Sequence, residues 1–118
     1  MVATDPPRAR RRGVCHQVEI AMQPGAAMAT ARLLRLLGDP TRLSMLATLR
    51  GAGAPVCICD FTAAYALGQP TVSHHMGRLR SAGLVTSHKE GIWVYYRIAE
   101  DLPDAASRLL DAVLGGGG

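Results

Sequence analysis

The apolar residues of this chain recur mostly at the three- and four-residue spacing of a buried helical face. Asp39-Pro40 is a typical helix start, and Gly38 and Gly51 are typical helix ends. The predicted helices cover residues 14–22, 26–38, 40–51, 60–67, 71–82 and 101–114. The region 84–98 differs, because two β-rich runs flank Glu90-Gly91 and predict a hairpin. The fold class is therefore mostly α with a β-hairpin.

The helices predicted over 60–67 and 71–82 are joined by a tight turn at Gly68-Gln69-Pro70. Two helices in this arrangement, followed at once by a hairpin, form the outline of a winged helix-turn-helix. On a helical wheel, the apolar and buried side of the second helix consists of Val72, Met76 and Leu79. Its outward side is polar or small and carries no acidic group: Thr71, Ser73, His74, Gly77, Arg78 and Ser81.

This outward side suits the major groove of DNA, because it permits close approach and offers donors for base edges without repelling phosphate. A solvated polar face is the alternative, and the wheel alone does not separate the two. Residues near the N-terminus of a recognition helix usually reach the bases. The predicted base contacts are therefore Gln69, Thr71, Ser73 and His74.

The hairpin favours DNA over a merely solvated face. Lys89 lies at its turn and Arg97 on its return strand, and a wing of this kind grips the phosphate backbone beside the recognition helix. Together with Arg78, these two residues are the predicted phosphate contacts. Alternate residues of the return strand share a face, so one face is expected to pack. We expect Trp93 to pack as well, rather than to wedge between bases.

Composition supports a nucleic-acid-binding domain and excludes several other classes. The 118 residues form one domain, expected over 14–114 between a flexible basic arm (1–13) and a flexible glycine tail (115–118). The net charge is +4, and the 48% hydrophobic content argues against a disordered chain. Aromatic residues make up 4%, too few for a platform that stacks single-stranded bases. No segment indicates a membrane span or a signal peptide, so a cytoplasmic protein is expected.

The chain has three cysteines, Cys15, Cys57 and Cys59, so they cannot all pair as disulfides within one chain. In a reducing compartment, thiols bind metal, react or pack more often than they form structural disulfides. A catalytic thiol is disfavoured, because its nearest ionisable neighbour is Asp60 and no catalytic triad order is visible, so we expect no enzyme. A DNA-binding repressor that senses thiol oxidation, or a module without any ligand, stays open at this point.

Four ordered segments resemble the ArsR/SmtB family of metal-sensing winged-helix repressors: LGDPTRLSML, VCICDF, QPTVSHHMGRLRSAGLV and EGIWVYYRI. The resemblance covers about Leu33 to Ile98. It implies a homodimer, joined through its first and last helices, that binds palindromic double-stranded operator DNA without metal and releases it on binding metal. It also implies that the recognition positions are those named above and that the wing runs from His88 to Arg97.

The resemblance places the family's thiolate pair at Cys57 and Cys59. Residues i and i+2 of a regular helix point about 200° apart, so chelation needs a non-helical or unwound segment. Cys15 is the only thiol left as a third ligand, and three thiolates without an obvious fourth ligand suit As(III) or Sb(III). Cd(II) and Pb(II) stay open as alternatives. Some relatives bind zinc on the last helix, but the predicted helix 101–114 has no histidine, so that site is not expected.

Overall fold

The computed structural model describes residues 12–115, which form five helices and a three-stranded sheet. The helices are α1 (Pro24–Leu37), α2 (Pro40–Ala52), α3 (Ile58–Tyr65), α4 (Gln69–Ser81) and α5 (Asp104–Val113). The strands are β1 (Val56–Cys57), β2 (Val85–Glu90) and β3 (Trp93–Ile98). They pair antiparallel in the order β1-β3-β2. The predicted winged helix-turn-helix is confirmed, with α3 and α4 as its two helices and β2–β3 as its wing.

The core forms where α4 packs between α2, α3 and the sheet. Val72, Met76 and Leu79 of α4 are fully buried, as the wheel predicts, and they lie in one cluster with Met45 and Leu46 of α2. Burying an apolar side chain of this size stabilises the fold by about 1.5–3 kcal/mol relative to exposing it. One side of α4 is thereby fixed in the core, and its polar side faces outward.

The predicted start of α2 is confirmed in detail. The Asp39 carboxylate accepts a hydrogen bond from the backbone N–H of Arg42 at 2.9 Å, which satisfies a donor at the helix start. This bond lowers the pKa of the Asp39 carboxyl, and the charges of Arg42 and His75 act in the same direction. The Arg42 side chain also donates to the carbonyl of Leu36 at 2.9 Å, so one residue ties α2 to α1.

The predicted helix over 14–22 is wrong. Residues 14–20 have irregular backbone, and the side chains of Val14, Val18 and Ile20 are exposed. A short helix depends on tertiary packing of its apolar face, and these side chains find no such packing among residues 12–115. Residues 1–11 of the predicted arm and 116–118 of the tail lie outside the described residues.

The turn of the helix-turn-helix lies earlier than predicted. α3 ends at Tyr65, and Ala66 adopts a left-handed φ of 53°. Gly68 has an ordinary negative φ and precedes α4 as its N-cap. Gln69 and Pro70, predicted as turn residues, instead form the first turn of α4, where proline lacks only an N–H that the helix would leave unpaired.

The faces of β3 alternate largely as predicted. Tyr96 is buried and Val94 and Ile98 are half-buried, whereas Ile92 lies in the hairpin turn and is exposed. Trp93 was expected to pack, but 49% of its surface stays exposed in the protomer. Among residues 12–115, no helix is long and apolar enough to cross a membrane.

Candidate DNA-binding surface and thiol site

The outward side of α4 carries the predicted reading residues. Gln69 and Thr71 are exposed in its first turn, His74 is exposed one turn later, and Ser73 between them is half-buried. No acidic residue occurs in this first turn, and the start of a helix is the positive end of its dipole. Three of the four side chains are therefore exposed in the first half of α4, where the positive end of the helix dipole favours an anionic partner.

The wing turns at Gly91, whose left-handed φ of 62° is typical of a tight hairpin. Lys89 next to this turn is exposed and forms no ion pair among the described residues. Arg97 differs, because its guanidinium pairs with Glu100 at 2.8 Å. Lys89 is thus available to a phosphate, whereas Arg97 would have to exchange one carboxylate partner for another anion.

The two thiols meet where a strand becomes a helix. Cys57 ends β1 and caps α3 with extended backbone (φ −71°, ψ 144°), and Cys59 is the second residue of that helix. Their sulfur atoms lie 3.2 Å apart. The helix starts at Ile58 rather than at the predicted Asp60, but Cys57 stays outside it. The opposed directions that a continuous helix would impose are therefore absent, and the pair forms without unwinding.

The spacing of the pair suits a thiophilic ion. Cys57 is buried and Cys59 is exposed, so one sulfur is fixed in the fold and the other faces solvent. A tetrahedral zinc ion with Zn–S bonds of about 2.3 Å would hold two sulfurs about 3.8 Å apart. The observed separation of 3.2 Å is shorter than this value. The sulfurs of Cys57 and Cys59 are soft donors, which bind soft metal or metalloid ions in preference to hard ones.

The surroundings of Cys59 hold its thiol in the protonated form. The hydrogen bond between the Cys59 thiol and the Cys57 sulfur raises the pKa of Cys59, and partial desolvation and the negative charges of Cys57 and Asp60 raise it further. The nearest Asp60 oxygen lies 3.9 Å from the Cys59 sulfur. Because the thiolate is the ligand form, ion capture here releases protons and weakens as the pH falls.

A line of directly opposed residues across the three strands connects the thiol site with the wing. Cys57 lies opposite Tyr95 in the β1–β3 register, and Tyr95 lies opposite His88 in the β3–β2 register. Directly opposed residues have side chains on the same face of a sheet. The rings of His88 and Tyr95 stack with centroids 5.3 Å apart. Burial raises the pKa of the Tyr95 hydroxyl, and the charge of Cys57 raises it further.

Cys15 stands apart from this pair. It is exposed, and it belongs to the irregular segment that precedes α1. Within residues 12–115, no three His, Cys, Asp or Glu side chains come close enough together to hold a metal ion. The structure therefore unites Cys57 with Cys59 and leaves Cys15 outside the site of a single protomer.

Two contacts of the site have no clear signal in the sequence. β1 is two residues long, too short for a recognisable alternation, yet it joins the thiols to the sheet. The Tyr65 hydroxyl lies 2.7 Å from the Ser44 hydroxyl and 2.9 Å from that of Thr48, which fastens the end of α3 to α2. These contacts hold α3 at both ends, one near the thiols and one near the turn.

Comparison with known proteins identifies the same architecture. Residues 39–87 match the family described as bacterial regulatory protein, arsR family. The arsenical resistance operon repressor of Escherichia coli K12 is 36% identical over 80 residues, which cover 68% of this chain and 68% of that relative. An arsenic resistance transcriptional regulator of Pseudomonas putida KT2440 is 34% identical over 82 residues, covering 70% of this chain and 63% of that relative.

A solved structure extends the match beyond the helix-turn-helix. The homodimeric winged helix-turn-helix DNA-binding domain from Mycobacterium bovis has a TM-score of 0.63 at 26% identity, covering 83% of this chain and 86% of that chain. The residues 39–87 that match the family contain α3, α4 and the thiol pair. The family resemblance and the expectation of a non-enzyme are confirmed: the chain belongs to the arsR family of bacterial regulatory proteins, which are DNA-binding transcriptional regulators.

Proposed function

We propose that this chain is a metalloid-responsive repressor, which binds operator DNA as a homodimer and releases it when its thiolates capture As(III) or Sb(III). The observation that carries the proposal is the pair of sulfurs 3.2 Å apart at the start of α3. Relatives named as arsenical resistance repressors support the choice of a metalloid over other soft ions. Cys57 and Cys59 hold two positions of the ion, and Cys15 supplies the third.

On DNA, the outward side of α4 reads bases in the major groove. The base contacts are assigned to Gln69, Thr71, Ser73 and His74. Arg78, farther along α4, and Lys89, beside the wing turn, hold phosphates, and Arg97 joins them if it leaves Glu100. In a homodimer the two recognition helices lie one turn of DNA apart, about 34 Å, and this spacing calls for a palindromic operator.

The connection between the thiols and DNA follows from the packing of α3. This helix packs against α4, and its N-cap Cys57 belongs to the sheet that carries the wing. Drawing a third ligand to the pair therefore acts on both DNA-contacting elements. Capture favours the protein conformation in which the three thiolates meet, and the DNA-bound conformation loses population.

Completion of the site needs Cys15 to move or to come from the other protomer, because it does not approach the pair within one protomer. A direct test measures As(III) binding by wild type, Cys15→Ser and Cys59→Ser. The operator DNA for the release experiments is first selected from a pool of random duplexes. Tight binding near one ion per protomer that is lost in both variants supports the three-thiolate site. Tight binding that survives in Cys15→Ser excludes Cys15 as a ligand.

The same closeness of the two sulfurs also favours a second candidate, a repressor that senses oxidants through this pair. Forming a disulfide requires the sulfurs to approach from 3.2 Å to about 2.05 Å, with loss of two electrons to the oxidant. The oxidant-sensing candidate does not involve Cys15. A repressor that responds to Cd(II) or Pb(II) would use Cys15 as a ligand, as the metalloid proposal does. Release of DNA by peroxide but by no metal, unchanged in Cys15→Ser, would replace the metalloid proposal.

A further inference from the structure

A basic cleft lies between α1 and α4, beside the predicted reading residues. Its volume is about 710 Å³, and it is lined by residues of both helices and the turn that follows α4. Four of the lining residues are arginines: Arg32, Arg35, Arg78 and Arg80. Ser73 and His74 of the reading surface also line it, so the cleft and that surface are continuous.

The cleft has no acidic counterpart. Neither α1 nor α4 contains an aspartate or a glutamate, and no acidic residue lines the cleft from elsewhere among the described residues. Arg80 donates to the Ser87 hydroxyl at 3.2 Å, which directs it toward β2. Arg32, Arg35 and Arg78 form no ion pair within residues 12–115. Like charges gathered without counterions create a positive potential that attracts an anion.

We propose that Arg32 and Arg35 of α1 bind the phosphate backbone of the DNA that α4 reads, which extends the DNA-binding surface beyond the recognition helix and the wing. The proposal rests on the proposed DNA-binding function, and it adds a third contacting element. DNA is favoured over a small anion because the cleft opens onto Ser73 and His74, so a strand lying on α4 passes along it. Contacts of this kind position the protein and add affinity without reading sequence.

The test measures the affinity for selected operator duplex and for a random-sequence duplex as a function of salt concentration. The variant Arg32→Gln/Arg35→Gln removes both charges and keeps two good helix formers. Each phosphate that is no longer neutralised should reduce the slope of log K against log salt by about 0.9, or about 1.8 for each protomer. The reduction should be the same for both duplexes, and Arg32→Lys/Arg35→Lys should restore most of the slope.

Arg108→Gln is the matched control, because this arginine belongs to α5 and does not line the cleft. Circular dichroism melts confirm that each variant is folded, and sedimentation velocity confirms that it is as dimeric as wild type, because α1 is also expected in the dimer interface. An unchanged slope in the folded double Gln variant overturns the proposal while DNA binding by wild type stands. Stabilisation of wild type by inorganic phosphate that is absent in this variant, without any change of slope, assigns the cleft to a small anion and also overturns it.

The experiment distinguishes failure of the α1 proposal from failure of the metalloid response. If wild type binds DNA but As(III) does not release it, the metalloid part of the function fails and the contribution of α1 is still measured. If wild type binds neither duplex, both proposals fail together. A reduced slope that is limited to the selected operator contradicts the assignment to phosphate, because phosphate contacts are independent of sequence.

Discussion

The sulfur atoms of Cys57 and Cys59 lie 3.2 Å apart although one residue ends a strand and the other lies in a helix. The extended backbone at Cys57 makes this possible, since two helical residues at this spacing would point in nearly opposite directions. The buried sulfur is held by the sheet, and the exposed one belongs to the second residue of α3, which packs against α4. The pair is therefore preorganised, and in the proposed three-thiolate site only Cys15 has to be brought to it.

Replacing Asp60 should make Cys59 a better nucleophile at neutral pH. After the hydrogen bond to Cys57 and burial, the charges of Cys57 and Asp60 raise the pKa of Cys59, so Asp60→Asn should lower it. The measurement is the pH profile of Cys59 alkylation by iodoacetamide, resolved by peptide mass spectrometry. Its midpoint should move to lower pH in Asp60→Asn and stay in place in Asp101→Asn. A midpoint that stays or rises in Asp60→Asn contradicts the assigned role of the carboxylate.

The N-cap of α2 should make stability sensitive to acid. The folded-state pKa of Asp39 is lowered, so its carboxylate stabilises the fold above the unfolded-state value of about 3.9. That contribution is lost as the pH falls through the lower folded-state value. Asp39→Asn keeps a good cap but does not titrate. Thermal melts should show wild type more stable at neutral pH and the difference shrinking below about pH 4. A difference that grows in acid would contradict this.

The tie between α2 and α3 should contribute measurably to stability. Tyr65→Phe removes the hydroxyl that contacts Ser44 and Thr48, and it should lower the free energy of unfolding by about 1 kcal/mol. Tyr96→Phe is the control, because the described residues provide no hydrogen-bond partner for its hydroxyl. Urea denaturation measures both. Equal effects of the two substitutions would show that the hydroxyl contacts carry no stability of their own.

The wing and the far end of α4 should contribute affinity without specificity. Lys89→Ala and Arg78→Ala should each weaken binding to every duplex and reduce the salt slope by about 0.9 for each phosphate that is no longer neutralised. Neither residue forms an ion pair among the described residues, so neither change breaks a salt bridge within that part of the protomer. Fluorescence anisotropy across salt concentrations checks this. An altered base preference with an unchanged slope would mean that these residues read bases instead.

The sequence predicted the elements that long apolar patterns define. The buried side of α4 follows from its periodicity, and the start of α2 from Asp39-Pro40, because both depend on local chemistry. The turn was misplaced because glycine and proline are typical turn residues, whereas the structure places the left-handed residue at Ala66 and includes Gln69 and Pro70 in α4. The position of this turn also depends on how α3 packs against α4, which the local sequence does not encode.

The thiol site was only partly predictable. The spacing of Cys57 and Cys59 is visible in the sequence, but their closeness depends on β1, whose two residues pair with β3 through contacts distant in the chain. The cleft between α1 and α4 was missed for the same reason. Arg32 and Arg35 look like ordinary solvated positions until the fold places them beside Ser73 and His74.

The central claim is that capture of a metalloid by the thiol pair releases DNA. The most direct measurement titrates As(III) into reduced protein bound to fluorescent operator duplex and follows anisotropy for wild type, Cys57→Ser and Cys59→Ser. We predict release near one As(III) per protomer in wild type and none in either variant, although both variants still bind DNA. Release that persists in either variant, or no release of wild type by As(III), would contradict the account.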